Sequence, residues 1–262
     1  MTGVQTCALP IFKEDLQRCA DAFISGDGKQ YIAFSDVKQS YLRLIERQRR
    51  RSEVPALRFL YDPAQEVLII KLKQGPHHEE AKAEFGYMFN RKLCSMGFDN
   101  TLQSFGSTTY IAPNGRSTEA DDSWGPSDGV LGIDLPSLVI EVGVSESLGQ
   151  LRMDAHHWLT QGGGQNRVII ILAVNKPSRL MTIERWELEP TTRPTRASIA
   201  SGIPTKMQEH TLHDNGTVNG GPLLIPATKV YDQLPLGLGP DDFTFTAQEL
   251  AQFFRRYWQG LP

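Results

Sequence analysis

Pro136-Ser137-Leu138-Val139-Ile140-Glu141-Val142-Gly143-Val144 is the stretch that decides how the chain is read. Its run of aliphatic and β-branched residues predicts a strand buried on both faces, as in the middle of an α/β sheet. Glu141 interrupts that run, and a lone carboxylate there is costly unless a cation or good donors meet it. Just beyond, Ser147-Leu148-Gly149-Gln150 fits a capping box, with Ser147 as N-cap and Gln150 at N3. A helix over 148–160 follows, and its N–H groups lie at the carboxyl edge of the strand. Open α/β sheets bind ligands at that edge, and a phosphate is favoured there. About twenty residues before Glu141, Glu119-Ala120-Asp121-Asp122-Ser123-Trp124 supplies more acid.

Working outward, the pattern predicts helices at 12–23 and 36–51, which make a helical N-terminal extension over 12–54. A hairpin follows, with strands 57–61 and 67–72 around the turn Asp62-Pro63-Ala64. A helix over 78–95 presents Ala81, Phe85, Met88, Phe89 and Lys92 on one stripe and stops at Gly97. Strands are expected at 103–111, 119–124, 138–144, 167–174 and 181–188, with a turn at Asn114-Gly115 and a loop over 125–135. The core is thus expected over 55–190. A C-terminal extension over 191–262 carries weak strand signals at 207–212 and 223–225, and then an amphipathic helix over 246–258.

The chain has 262 residues, is 40% hydrophobic and 22% charged, and has a formal net charge of −3. That balance argues against a protein that coats nucleic acid by charge alone, and leaves room for an enzyme that acts on it through a local patch and a metal. No run approaches the length of a membrane-spanning helix, so no membrane partner is expected. Residues 1–11, Met-Thr-Gly-Val-Gln-Thr-Cys-Ala-Leu-Pro-Ile, read as a translated short-read sequencing adapter and are set aside. Cys19 and Cys94 then remain; with no metal or disulfide spacing they fit a reducing compartment, cytoplasm or nucleus, and Cys94 reads as a buried structural thiol.

Phosphodiester cleavage by bound metal needs carboxylates a few ångströms apart, to hold the cation and lower the pKa of attacking water. Asp121 and Glu141 at adjacent strand ends suit that chemistry. The plainer reading is a loop aspartate, and a glutamate bonded to backbone donors. Arg152 lies off the centre of the stripe Leu148, Leu151, Ala155, Trp158, Leu159, so its guanidinium can turn toward the acids or pair with a neighbouring carboxylate. Five arginines between Arg43 and Arg51 can contact phosphates, act as a nuclear import signal, or form a solvated helix end. Gly162-Gly163-Gly164 is neither a Walker loop nor a dinucleotide fingerprint, and His156-His157 lacks zinc spacing and is expected to face solvent.

The segment Glu119-Ala120-Asp121, then Glu141-Val142-Gly143 with Ser145 and the following helix, resembles the PD-(D/E)XK nuclease superfamily. The closer likeness is to its Uma-type restriction-endonuclease-like branch and to related fungal proteins, over residues 57–190. The resemblance implies an αβββαβ core and a nuclease that hydrolyses DNA or RNA with Mg²⁺ or Mn²⁺. Asp121 and Glu141 would hold the metal, Asp122 would assist, and Arg152 would steady the phosphate. Ala120 stands where a proline often precedes the first acid, and Gly143 where the acid-X-Lys motif has its lysine. Arg152 takes the place of a substitute cation from the next helix, although arginine cannot shed a proton to act as a base. His78, at the start of the first core helix, matches a histidine of that branch or is a hydrogen-bonded structural residue. Glu84 is a candidate third ligand. Gly143 also motivates the alternative, a catalytically inactive nuclease-fold module that binds nucleic acid or a protein.

Overall fold

The computed structural model describes residues 5–6, 9–24, 30–49, 57–72, 75–111, 115–128, 135–144, 147–161, 164–190, 202–238 and 243–261. In chain order the elements are β1 (Gln5–Thr6), α1 (Leu9–Ile24), β2 (Tyr31–Ser35), α2 (Gln39–Arg49), β3 (Leu57–Asp62), β4 (Val67–Leu72) and α3 (Pro76–Met96). They continue with β5 (Leu102–Ser104), β6 (Thr109–Ile111), β7 (Ser117–Glu119), β8 (Asp122–Pro126), β9 (Leu138–Val144), α4 (Leu148–Gln161) and β10 (Val168–Asn175). Last come β11 (Leu180–Glu189), β12 (Ile203–His213), β13 (Val218–Asn219), β14 (Leu223–Ile225), α5 (Ala227–Val230), β15 (Phe243–Phe245) and α6 (Ala247–Gln259). Cys7, Arg50, Arg51, Asn114, Ser145, Gly162-Gly163 and residues 191–201 lie outside the described residues. No described helix is long and apolar enough to cross a membrane.

The chain divides into two compact units, one of residues 1–74 and 109–119, the other of 75–108 and 120–262. The first holds a six-stranded sheet in the order β1-β2-β4-β3-β7-β6. Alternation puts Ile32, Phe34, Leu57, Phe59, Tyr61, Leu68 and Ile70 into one cluster with Leu16 and Ala20 of α1 and Leu42 and Ile45 of α2. The hairpin forms about Asp62, whose Oδ1 accepts from the Ala64 N–H at 2.9 Å. β2 is an addition to the helical extension expected there. Its five residues bury alternate side chains, a period too short to stand out between two helices. The boundary expected near residue 55 falls inside this unit, and α1 begins within the stretch set aside as adapter-derived.

The second unit carries a seven-stranded sheet in the order β13-β12-β11-β10-β9-β8-β5. β9 and β10 run parallel, joined by α4, and the other neighbours are antiparallel. Parallel neighbours need such a crossover, and α4 provides it. Taking α3, β5, β8, β9, α4 and β10 in turn gives the αβββαβ order, so the fold is mixed α/β with a restriction-endonuclease-like core. Leu138, Ile140, Val142 and Val144 of β9 pack with Phe85 and Phe89 of α3 and Phe253 and Phe254 of α6. The opposite face meets Leu151, Ala155, Trp158 and Leu159 of α4, all buried. Thr246 and Glu249 close a capping box at the start of α6.

Two expected strands each divide. The 103–111 run breaks between β5 and β6, where Gly106 takes φ +58°, and the 119–124 run breaks at Ala120–Asp121 between β7 and β8. Each break moves the chain from one sheet to the other. A left-handed backbone position suits glycine, so Gly106 is the local signal for the first break.

Candidate functional site

Glu141 sits on β9 in register with Ile171 of β10, and Ile171 is in register with Glu184 of β11. Directly opposed residues share a sheet face, so the two glutamates flank Ile171 beneath α4. On the other side of β9, Asp122 pairs with Ile140, and one step on Asp121 comes level with Glu141. The two acids expected to cooperate are therefore neighbours in the sheet.

Their carboxylates have different destinations. Asp121, 1% exposed, accepts the Val142 N–H through Oδ2 at 2.9 Å, and His78 Nε2 of α3 lies 3.1 Å from the same oxygen. The side chain thus supplies a ladder hydrogen bond where the β8 backbone leaves β9. Glu141, 4% exposed, accepts the Trp158 indole N–H of α4 through Oε1 at 2.7 Å. The Asp121 carboxylate thus meets the β9 backbone and His78 of α3, and the Glu141 carboxylate meets Trp158 of α4. Asp122 accepts from its neighbour Ser123 N–H at 2.9 Å and from Ser104 Oγ at 3.1 Å. Good donors, one of the two remedies for a buried carboxylate, meet all three.

Arg152 turns to Glu184, donating from Nε to Oε2 at 3.0 Å and from Nη2 to Oε1. Trp186 Nε1 donates to the same carboxylate at 2.8 Å, and Lys206 Nζ is 3.5 Å away. Burial pushes the Glu184 pKa up, but the hydrogen bonds from Arg152 and Trp186 and the charges of Arg152 and Lys206 outweigh it and hold it below the usual carboxylate value. A folded-state pKa below the unfolded one contributes stability that is present at neutral pH and lost as pH falls through the folded value. Arg152→Met is expected to cost about 1–3 kcal/mol at pH 7, less than for a fully buried pair because Arg152 is partly solvated. Its acid unfolding should begin at a higher pH than the parent's, as read from urea midpoints across pH 7 to 3.

The other expected participants are also accounted for. Glu84 forms a two-point ion pair with Arg256 of α6, at 2.6 and 3.0 Å. Cys94 is exposed, which corrects the expectation of a buried thiol: Leu93 takes the inward position in that turn of α3. His156 faces outward as expected, its ring tilted against that of Trp186 at 5.3 Å, whereas His157 is half-buried, a correction to its expected exposure. Gln150 N–H meets Ser147 Oγ at 3.3 Å, so the expected N-cap forms.

A divalent metal at this place needs several oxygens converging at about 2.0–2.6 Å. Among the described residues no group of three or more His, Cys, Asp or Glu is placed to hold one. Of the expected set, Asp121 Oδ2, Glu141 Oε1 and Asp122 Oδ1 already accept from protein N–H or hydroxyl donors. Glu184 and its two tryptophan-and-arginine donors escaped the sequence reading. The strand alternates polar and apolar residues there, so the sequence carries no local signal for them.

No family model and no curated protein matches the chain. Among solved structures it is similar to a protein of Anabaena variabilis described as a candidate nuclease belonging to DUF820. Identity is 13% over 75% of this chain and 90% of that one, with a TM-score of 0.43. The fold assignment rests on the order and pairing of the elements themselves.

Proposed function

We propose that the second unit is a non-cleaving module of the restriction-endonuclease-like class that binds nucleic acid. One observation carries the reading. Both acids of the expected centre are satisfied inside the protein, Asp121 by Val142 N–H and Glu141 by Trp158, and both are almost wholly buried. Burial this deep keeps both carboxylates out of water as the chain is folded here. Gly143 stands in the lysine position, and Arg152 is committed to Glu184.

Support for an anionic polymer comes from the outer face of α3 and α6. The guanidiniums of Arg91 and Arg256 lie over the exposed Tyr87 ring, 5.7 and 4.3 Å from its centroid. Arg256 is held by Glu84 and Lys92 by Glu249, whereas Arg91 has no carboxylate partner among the described residues. A guanidinium oriented by stacking presents its donor fork to phosphate oxygens.

In a thermal-melt titration, Mg²⁺ and Mn²⁺ are expected to leave the melting temperature unchanged, because only binding to the native state raises it. Labelled oligonucleotides should bind uncut, with affinity that falls as salt rises. Metal-dependent stabilisation with cleavage, or no binding at low salt, would overturn the reading.

A further inference from the structure

His210 of β12 is fully buried, and neither ring nitrogen meets a side-chain partner. Its polar neighbour is the Gly221 backbone. The segment 219–225, which contains β14, closes over this part of β12. Gly220 has φ +110°, and a Cβ there would come within 2.2 Å of the Glu209 carbonyl oxygen and 2.9 Å of His210 Nδ1. Gln208 clamps the same segment, donating to the Pro222 carbonyl at 3.1 Å and accepting from the Leu224 N–H at 2.9 Å. Leu223 and Ile225 then enter the main core.

The ring's charged surroundings come from two strands. Ile183 is in register with His210 and Arg185 with Gln208, so Arg185 is the diagonal neighbour of His210 on the same face. Arg185 is itself buried and pairs with Glu187 at 2.9 Å, and Lys229 of α5 lies 3.7 Å from Glu187. Arg185 and Glu209 are the charged groups that act on the ring, in opposite senses, and Glu209 is occupied by Lys206. A proton placed on His210 would add a second buried cation beside Arg185, which is costly without a new partner.

We propose that His210 is a proton-operated latch: the neutral ring lets segment 219–225 close over β12, and a proton on the ring beside Arg185 lifts it.

Burial first, and after it the Arg185 charge, depress the His210 pKa below the usual imidazole value, against the nearby Gly221 backbone and Glu209. Once the segment lifts, water restores the ordinary value. The open form then binds a proton that the closed form refuses, so closure weakens as pH falls through the ordinary imidazole range. For one such proton, opening rises about tenfold between pH 7.5 and 5.5.

Hydrogen–deuterium exchange of the full chain, corrected for intrinsic rates, tests this. Amides of 218–225 are expected to exchange about tenfold faster at pH 5.5 than at 7.5, while those of β9 and β10 keep their protection. His210→Gln should abolish the difference. Arg185→Met should shrink it, because the closed form then accepts the proton more readily, and it decides the matter should His210→Gln not fold. Equal corrected rates at the two pH values in the parent, or an undiminished response in the variants, would overturn the latch.

Discussion

Phe89→Ala is expected to destabilise the second unit by about 3–5 kcal/mol. Phe89 is fully buried on α3 and meets three other rings, Trp124 at 5.0 Å, Phe243 at 5.5 Å and Phe245 at 6.2 Å between centroids. Those rings come from β8 and β15, so the side chain ties the long helix both to the main sheet and to the small β14–β15 pair. Edge-to-face pairs at these separations add to the area term. Three elements, α3, β8 and β15, would have to move together to fill the space, which limits collapse. Urea unfolding should show a lower midpoint with an unchanged slope. A loss below about 1 kcal/mol would mean that the aromatic cluster can repack around the gap.

The core order was legible because its elements carry strong periods. Leu138–Val144 and Val168–Asn175 are continuous apolar strands, and the stripe Leu151, Ala155, Trp158, Leu159 between them has the helical period. Those three facts already require a parallel crossover. What stayed hidden was non-local. Trp158 was read as part of an apolar stripe, and its indole N–H reaching Glu141 depends on the depth at which α4 sits on the sheet. Glu184 lay in an alternating strand, where acids on an outer face are ordinary; only the covering of that face by α4 and Trp186 makes it a buried acid. The break at Ala120–Asp121 follows from a strand leaving one sheet for another, which no local propensity encodes. Asp121 and Glu141 were thus legible in the sequence, and Glu184 and the partners of all three were not.

Asp121→Ala and Glu141→Ala are each expected to lower stability by about 1–3 kcal/mol in metal-free buffer, and the sign is the informative part. Carboxylates gathered to grip a dication repel one another when the ion is absent. Removing one from such a site relieves the repulsion and stabilises the apo protein. Carboxylates that satisfy buried donors act the other way. Without Asp121, the Val142 N–H is orphaned in the sheet interior and His78 loses the oxygen 3.1 Å from its ring. Without Glu141, the Trp158 N–H is left in an apolar layer. Glu141→Gln keeps an acceptor oxygen for that indole and should lose less than Glu141→Ala. Denaturant unfolding of the three variants beside the parent, in the presence of a chelator, reads the signs directly. A gain in stability for Asp121→Ala and Glu141→Ala would restore the metal site and sink the reading of these acids as internal hydrogen-bond acceptors. A loss, with the glutamine variant in between, places them in the framework of the sheet.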